Sequence, residues 1–303
     1  MTLLIRDALL QARNRGVGRL DGQLLLAHVL ESVAGEQAAP AQPPPRISRS
    51  WLLTHDDQAL TPQQAQAWAQ ALQRRAAGEP LAYVVGEQLF CSLRLQVTPA
   101  VLIPRPETEE LVQWAEECLR CGALPQPRVL DLGTGSGAVA LALKHRCAAA
   151  EVMATDISPA ALALARTNAQ RLQLAVTFGL ADWWQAAPVS GSFPFGGPFN
   201  LVVSNPPYIA PGDHHLGALQ HEPQGALIGA DDGLGDLRRI IGSALQHLTP
   251  GGWLLLEHGH DQAGALRQEL LQAGFEQAQT RNDLAGLPRC TGARRPLSRT
   301  VAV

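Results

Sequence analysis

The sequence lacks the features that mark several special classes of protein. No apolar run approaches the ~20 residues that a membrane span requires. Arg6 and Asp7 interrupt the first apolar segment, unlike a secretory signal. Basic residues are not in excess, because 24 Lys and Arg stand against 27 Asp and Glu, for a net charge of −3. Since proteins that wrap nucleic acid usually carry a basic surplus, we expect a cytoplasmic protein that binds neither membrane nor DNA.

Cysteine is also scarce, and its spacing argues against a metal site. The five cysteines are scattered, and the pair Cys118 and Cys121 has no second Cys or His pair at zinc spacing. We expect this pair to be half-buried on one helix in a reducing compartment. Two pairs of histidines lie close in the sequence, His214 with His215 and His258 with His260, but their spacing is not that of metal ligands. We therefore expect no bound metal.

Helical patterns fill the first part of the chain. With 303 residues, 46% of them hydrophobic, the sequence can form one large or two modest domains. Apolar residues recur at helical spacing up to about residue 77, interrupted by a proline-rich loop at 36–46. Thr61–Gln64 predicts a capped helix start, with Trp68 and Leu72 following on one face. A small helical unit without reactive clusters is expected to bind a partner.

Strand patterns begin after this region. Alternating residues predict a hairpin within 84–103, and the segment Arg105–Glu109 then opens a helix with acidic residues in its first turn. From Arg128 onward strands and helices alternate, which predicts a doubly wound α/β sheet. A turn at 250–252 precedes the last predicted strand, and 188–198 is predicted to be a surface insertion. The predicted strands are Val129–Leu132, Glu151–Thr155, Leu174–Phe178, Asn200–Ser204 and Trp253–Glu257.

The most informative stretch is Asn205-Pro206-Pro207-Tyr208, which ends an apolar, β-branched run. A buried strand that is stopped by two prolines presents backbone carbonyls without competing N–H groups. Asn205 adds a side-chain carbonyl and Tyr208 adds a flat aromatic face. The stretch can therefore receive an –NH2 group and pack against the planar group that carries it. The alternative is a plain strand-ending turn.

A second candidate site lies at the ends of the preceding strands. The glycine-rich loop Asp131–Gly137 differs in spacing from the dinucleotide fingerprint and favours S-adenosylmethionine over NAD. Asp156 ends the next strand, where an acid commonly holds ribose hydroxyls. Asp182-Trp183 follows the third strand, where an acid and a ring can contact adenine. Any one of these acids alone could be a helix cap or a surface residue. Together they predict a cofactor site formed by Asp131, Gly133, Thr134, Gly135, Ser136, Gly137, Asp156, Asp182, Trp183 and Asn205.

Segments from nearly the whole chain resemble protein-(glutamine-N5) methyltransferases that modify peptide-chain release factors. Ile103–Glu109 is more specific than the Asn-Pro-Pro-Tyr motif, which DNA adenine methyltransferases share. One departure is Cys91, where the family usually has an aromatic residue, and it concerns the packing of that strand rather than the activity. The other matching segments are Arg74-Arg75, Gly78–Tyr83, Gly86-Glu87, Asp131–Gly137, Ser204–Tyr208, Glu222-Pro223, Leu256–Gly259 and Asn282–Gly286.

The resemblance implies a fold, an activity and a division into domains. It implies a helical substrate-recognition domain at 1–83, a β-hairpin linker at 84–105 and a Rossmann-like methyltransferase domain at 106–303. The enzyme would be a monomer that uses S-adenosylmethionine and yields S-adenosylhomocysteine. Its substrate would be the side-chain N5 of the glutamine in a Gly-Gly-Gln motif of release factors.

The resemblance also assigns roles to residues of the Asn205–Tyr208 stretch. Asn205 Oδ1 and the Pro206 carbonyl would hold the two amide hydrogens, and Tyr208 would pack on the amide plane. These three residues are the catalytic candidates. The substrate-binding candidates are Asn205, Pro206, Pro207, Tyr208, Arg105 and Glu109.

Three alternatives to this function differ from it in substrate or in catalytic activity. A DNA adenine-N6 methyltransferase must flip a base and hold the duplex, which the charge of −3 and the small helical N-terminal region disfavour. Relatives that methylate a ribosomal-protein glutamine differ from this chain at Ile103–Glu109. A non-catalytic module that only binds S-adenosylmethionine is disfavoured because Asn205–Tyr208 is complete.

Overall fold

The residues that the computed structural model describes are 2–37, 46–122, 124–186 and 195–297. The chain forms two compact units, Met1–Glu87 and Gln88–Val303. The proline-rich loop predicted at 36–46 and the insertion predicted at 188–198 lie mostly outside the described residues. Within the described ranges, no helix is long and apolar enough to cross a membrane.

The first unit is built from helices, as its apolar periodicity predicts. Trp68 and Leu72 are both buried in its core, together with residues of the two preceding helices. The predicted capping box is confirmed: the Gln64 N–H donates to Thr61 Oγ1 at 3.2 Å, and the Thr61 N–H donates to Gln64 Oε1 at 2.9 Å. The described helices are α1 (Ile5–Asn14), α2 (Arg19–Gln37), α3 (Arg49–Thr54), α4 (Pro62–Ala76) and α5 (Leu81–Val85).

The predicted hairpin is present but shorter than 84–103. Its strands are β1 (Glu87–Phe90) and β2 (Leu93–Gln96), because α5 occupies the start of the predicted segment. Cys91 and Ser92 form the turn with φ angles of 47° and 68°, as in the tight turns that match the twist of paired strands. Cys91, the departure from the family pattern, is 4% exposed and belongs to the core of the second unit.

The second unit contains an eight-stranded sheet with the strand order β6-β5-β4-β3-β7-β8-β10-β9. Its strands are β3 (Arg128–Leu132), β4 (Glu151–Asp156), β5 (Val176–Asp182), β6 (Gln185–Ala186), β7 (Phe199–Ser204), β8 (Leu248–Glu257), β9 (Glu276–Asn282) and β10 (Pro288–Arg294). The five strands from β5 to β8 in this order are parallel, and β6, β10 and β9 pair antiparallel. This confirms the predicted Rossmann-like, doubly wound α/β fold.

Helices cover both faces of this sheet. They are α6 (Thr108–Cys121), α7 (Ala138–Arg146), α8 (Pro159–Leu172), α9 (Gly235–His247) and α10 (Ala263–Gln272). Trp114 of α6 and Leu141 of α7 are buried in one core cluster, and Leu237 of α9 and Leu266 of α10 in the other. Two separate apolar cores therefore fix the positions of the strands within the sheet, and so the point at which each strand ends.

One turn prediction was wrong. Residues 250–252 do not form a separate turn, because β8 begins at Leu248 and runs through them. Phe199 pairs with Leu248 and Leu201 pairs with Trp253, so the extra residues of β8 bulge out of the ladder. The glycine with φ of 77° in this bulge, Gly251, donates its N–H at 3.0 Å to the carbonyl of Arg295, the residue that directly follows β10.

The topology of the sheet places the candidate residues at one edge. The chain proceeds outward from β3 to β4 and β5, then returns to the other side of β3 as β7 and β8. Such a reversal opens a crevice beyond the carboxyl ends of the strands. The glycine loop after β3, Asp156 at the end of β4, Asp182 at the end of β5 and Asn205 after β7 all lie at this edge.

Candidate active site

Two adjoining cavities lie at the carboxyl edge of the sheet. The first chamber, of about 460 Å³, is lined by the glycine loop and by the ends of β4 and β5. The second chamber, of about 490 Å³, is lined by residues that include Tyr208 and Glu257, after β7 and at the end of β8. Asn205, Leu102 and Ala226 line both, so the two chambers meet at Asn205. Each volume lies in the range of roughly 300–1,000 Å³ that is typical of small-molecule sites.

The glycine loop forms one wall of the first chamber, and its conformation requires glycine. Gly133, Gly135 and Gly137 have φ angles of 73°, 56° and 85°, which side chains other than hydrogen rarely tolerate. A Cβ on Gly137 would lie 2.9 Å from Leu141 Cδ1, whereas a Cβ on Gly135 would meet no atom within 4 Å. Gly135 therefore faces open space in the chamber, where a ligand can approach the backbone closely.

Asp131 fixes the glycine loop by hydrogen bonds. Its Oδ2 accepts from Thr134 Oγ1 at 2.7 Å and from the Ala140 N–H at 3.2 Å. Asp131 is 1% exposed, and this burial raises its pKa to about 7. The loop is also fixed by Ser136, whose carbonyl accepts from Asn168 Nδ2 at 3.0 Å. These contacts couple the loop to the first turn of α7 and to the C-terminal half of α8.

Asp156 joins the loop to the end of the next strand. Its Oδ2 accepts from the Gly135 N–H at 2.8 Å, and its Oδ1 accepts from the Ser158 N–H at 2.9 Å. Burial raises its pKa although these bonds oppose the shift. Each carboxylate oxygen has a second lone pair, so Asp156 can still accept from ligand hydroxyls in the chamber that it lines.

The far end of the first chamber contains Asp182 and Trp183, as predicted, and two residues that the sequence reasoning missed. Asp182 Oδ2 accepts from Arg239 Nη2 at 2.8 Å, and the Trp183 ring nitrogen donates to Asp236 Oδ1 at 3.0 Å. Asp236 and Arg239 lie one turn apart at the start of α9 and line the chamber. The sequence signal for them is their spacing of three residues on the helix that begins at Gly235.

Asn205 occupies the junction with a defined side-chain orientation. Its Nδ2 donates to Thr108 Oγ1 at 3.2 Å, which leaves Oδ1 free to face the chambers. Thr108 is the first residue of α6 and is 3% exposed. Pro206 lines the second chamber and Pro207 lines the first, so the two prolines follow the boundary between them.

Tyr208 lines the second chamber and is held by a carboxyl group. Its hydroxyl donates to Glu257 Oε1 at 3.2 Å. Burial raises the pKa of Tyr208, so its hydroxyl stays protonated. Arg289 of β10 lines the same chamber. Glu257 and Arg289 were not among the predicted site residues, and the matching segment Leu256–Gly259 was the available signal for Glu257.

The two remaining substrate-binding candidates separate in the structure. Arg105 lines the second chamber and pairs with Glu222, whose Oε2 accepts from the Ile103 N–H at 3.1 Å. Glu109 reaches neither chamber. Its Oε1 accepts from the Cys91 N–H at 2.8 Å, so it supports the hairpin turn instead.

The histidine pairs also separate. His258 is buried, with its ring nitrogens near Gly259 O and Thr291 Oγ1, both at 2.7 Å. In the described part of the chain, His214 and His215 form an exposed cluster with Asp213, and their potential ligand atoms lie within 4.8 Å of one another. Asp213 accepts from the His215 N–H at 2.8 Å and caps the short helix there.

Comparison with known proteins extends over both units. Residues 46–86 match the PrmC N-terminal domain, and residues 117–222 match the methyltransferase small domain. The chain is 46% identical over 294 residues to the release factor glutamine methyltransferase of Bordetella pertussis, covering 96% of this chain and 99% of that protein. It is 41% identical over 292 residues to the enzyme of the same name from Xylella fastidiosa strain Temecula1, covering 95% and 98%. The crystal structure of a methyltransferase from Pyrococcus furiosus shares the fold, with a TM-score of 0.51 at 17% identity over 74% of this chain and 99% of that chain.

Proposed function

This chain belongs to the release factor glutamine methyltransferase family, and we infer that it methylates the side-chain amide of a glutamine in a peptide-chain release factor. The observation that carries this inference is the meeting of two chambers at Asn205. One chamber suits a methyl donor, and the other suits an amide that reaches Asn205 from the opposite side. We place that glutamine in the Gly-Gly-Gln motif that the family resemblance implies.

The residues of the first chamber fit S-adenosylmethionine. The open approach at Gly135 admits a ligand against the backbone, Asp156 offers lone pairs to ribose hydroxyls, and Asp182 with Trp183 lines the far end. The negative charges of the chamber suit a ligand with a positive sulfonium and an ammonium group. When bound, this cofactor supplies a methyl group that is already activated, so we propose that the reaction needs no metal ion.

The second chamber supplies the groups that orient the acceptor. A glutamine amide is a poor nucleophile because its nitrogen lone pair is delocalised, so its orientation must be fixed. Asn205 Oδ1 and the Pro206 carbonyl accept from the two amide hydrogens, and the Tyr208 ring packs on the amide plane. The two acceptors also stabilise the positive charge that grows on the nitrogen in the transition state. The methylated nitrogen then loses its proton to water.

A transfer assay with three acceptors tests this function. The protein is incubated with methyl-labelled S-adenosylmethionine and with a release factor, a DNA duplex rich in adenine, or ribosomal proteins. We expect label on the release factor alone, lost when its Gly-Gly-Gln glutamine is replaced by alanine. Label on DNA or on a ribosomal protein, with none on the release factor, would refute the proposal.

The carboxylate of Asp156 gives a second test, of cofactor binding. Because a buried carboxylate that accepts from hydroxyls contributes about 1.5–3 kcal/mol, Asp156→Ala should weaken S-adenosylmethionine binding by about ten- to a hundredfold. Calorimetry on the purified variant measures this. Glu151→Ala is the matched control, since Glu151 is exposed at the opposite end of the same strand. An unchanged dissociation constant for Asp156→Ala would mean that Asp156 does not bind the cofactor and serves only to hold the start of α8 through the Ser158 N–H.

We further propose how the units divide the work. Every residue that lines the two chambers comes from Gln88–Val303. Since the first unit contributes no side chain to either chamber, we propose that it recognises the protein substrate. A substrate that is a translation factor also supports action in the cytoplasm, and we propose that the protein is a monomer.

A further inference from the structure

Glu257 is a buried carboxyl group beside the catalytic candidates, and the mechanism above does not use it. Ser204 pairs with Leu256 in the parallel ladder of β7 and β8, so the next residues, Asn205 and Glu257, are level with each other. Glu257 is 1% exposed and lines the second chamber. A charged side chain is almost never buried this completely without a partner for each of its atoms.

The contacts of Glu257 lead to two side chains of the Asn205–Tyr208 motif, those of Tyr208 and Asn205. Its Oε1 accepts from the Tyr208 hydroxyl at 3.2 Å. The Thr108 hydroxyl is also close enough to lower the pKa of Glu257. Thr108 Oγ1 in turn accepts from Asn205 Nδ2 at 3.2 Å. Because that oxygen already accepts from Asn205, its own hydrogen is directed elsewhere, and Glu257 is the nearby acceptor.

The second oxygen of Glu257 is an exception to ordinary packing. Oε2 is buried and has no hydrogen-bond partner among the described residues. Leaving such an acceptor unpaired destabilises the folded state, and more so when the group is charged. A glutamine or an apolar side chain would avoid most of that cost, so stability does not explain a carboxyl group here.

We propose that Glu257 is a positioning residue for methyl transfer. It holds Tyr208 directly and Asn205 through Thr108, so that Asn205 Oδ1 points to the junction of the two chambers. This role rests on the proposed function, since it concerns the orientation of the amide acceptor. The ionised carboxylate is the active form, because it accepts from the Tyr208 hydroxyl and attracts the hydrogen of the nearby Thr108 hydroxyl, which fixes the direction of the chain of hydrogen bonds.

The surroundings of Glu257 set the pH at which that form appears. Burial raises its pKa to about 7, with a further contribution from the negative charge of Glu107, while Arg289 and the two hydroxyls oppose the shift. Cys290, its neighbour on β10, stays a neutral thiol because burial raises its pKa too. The ionised form is therefore lost as the pH falls below about 7. Measuring kcat at saturating cofactor separates this effect from Asp131, whose carboxyl lies in the first chamber.

Glu257→Gln tests the proposal against a merely structural role. We expect kcat on the release factor to fall about tenfold, the size of one charge-assisted hydrogen bond, with the cofactor dissociation constant within about threefold. The wild-type kcat should rise between pH 6 and pH 8, and the variant should show no such rise. The melting temperature of the variant at pH 8 should equal or exceed that of the wild type, because an unpaired buried charge is removed. A lower melting temperature with an unchanged pH profile would overturn the proposal.

Variants of Thr108, alone and combined with Glu257→Gln, provide a second test. Thr108→Val should lower kcat, Thr108→Ser should recover most of that loss, and adding Glu257→Gln to Thr108→Val should cost little more. Fully additive losses would mean that the two residues act separately, and would overturn the proposal. Wild-type activity on the release factor reports on the proposed function itself, whereas the ratio of variant to wild-type kcat reports on Glu257.

Discussion

Asn205→Ala is expected to lower kcat for release factor methylation by about 10²–10³, the usual cost of losing a preorganised transition-state hydrogen bond. The reason is geometric, because Thr108 holds Nδ2 at 3.2 Å and turns Oδ1 toward the junction of the chambers. Cofactor affinity should change by less than about threefold, well under 1.4 kcal/mol. Single-turnover kinetics with labelled cofactor, together with calorimetry, measure the two quantities separately.

Asn200→Ala is a matched control for this variant. Asn200 lies near the start of β7, the strand that ends just before Asn205. Its Oδ1 accepts from the Arg128 N–H at 2.8 Å, and it lines neither chamber. We expect its kcat within about twofold of the wild type. If Asn205→Ala retained more than about a third of the wild-type kcat, Asn205 would not be the group that orients the acceptor amide.

Removal of residues 1–86 is the second large effect that we expect. The truncated protein keeps β1 and every residue of the two chambers, so cofactor binding should stay within about threefold of the full chain. Methylation of intact release factor should fall by at least about a hundredfold, because remote contacts with a protein substrate contribute to placing its reacting group. Circular dichroism checks that the truncated chain is folded, and kcat/KM on the release factor gives the result.

A short peptide that contains the acceptor glutamine separates recognition from chemistry. If the first unit binds the body of the release factor, the full-length and truncated proteins should methylate this peptide equally slowly. If the truncated protein methylated intact release factor at nearly the full-length kcat/KM, recognition would have to lie in the second unit. Arg105, which lines the second chamber, would then be the first residue to replace.

Local signals in the sequence predicted the elements that carry their own boundary markers. Thr61 and Gln64 predicted the start of α4 because capping depends on residues three apart. Strand ends were predicted where an apolar run meets a polar or proline residue, as at Asn205. The bulge at 250–252 was missed because the same residues form a turn in isolation, and only the ladder to β7 and β10 keeps them within β8.

The same limit applies to the site. Asp131, Asp156 and Asp182 lie at or near the carboxyl ends of their strands and Asn205 directly follows β7, so parallel pairing alone brings them to one edge. The other residues of the two chambers arrive from distant segments, and nothing near the predicted site residues in the sequence indicates them: Thr108, Asp236, Arg239, Glu257 and Arg289. Glu109 shows the converse, since a residue of a family segment can serve the hairpin turn rather than the ligand.

The buried carboxyl of Asp131 has a consequence for proton linkage. Its pKa is about 7 in the folded protein and about 3.9 in an unfolded chain. Between these values the folded state binds a proton that the unfolded state has released, so this group lowers the free energy of unfolding as the pH rises through that window. The charged form is also the one that strengthens the hydrogen bonds from Thr134 and Ala140. The contribution of Asp131 to stability is therefore largest on the acid side of the pH at which its glycine loop is held most firmly.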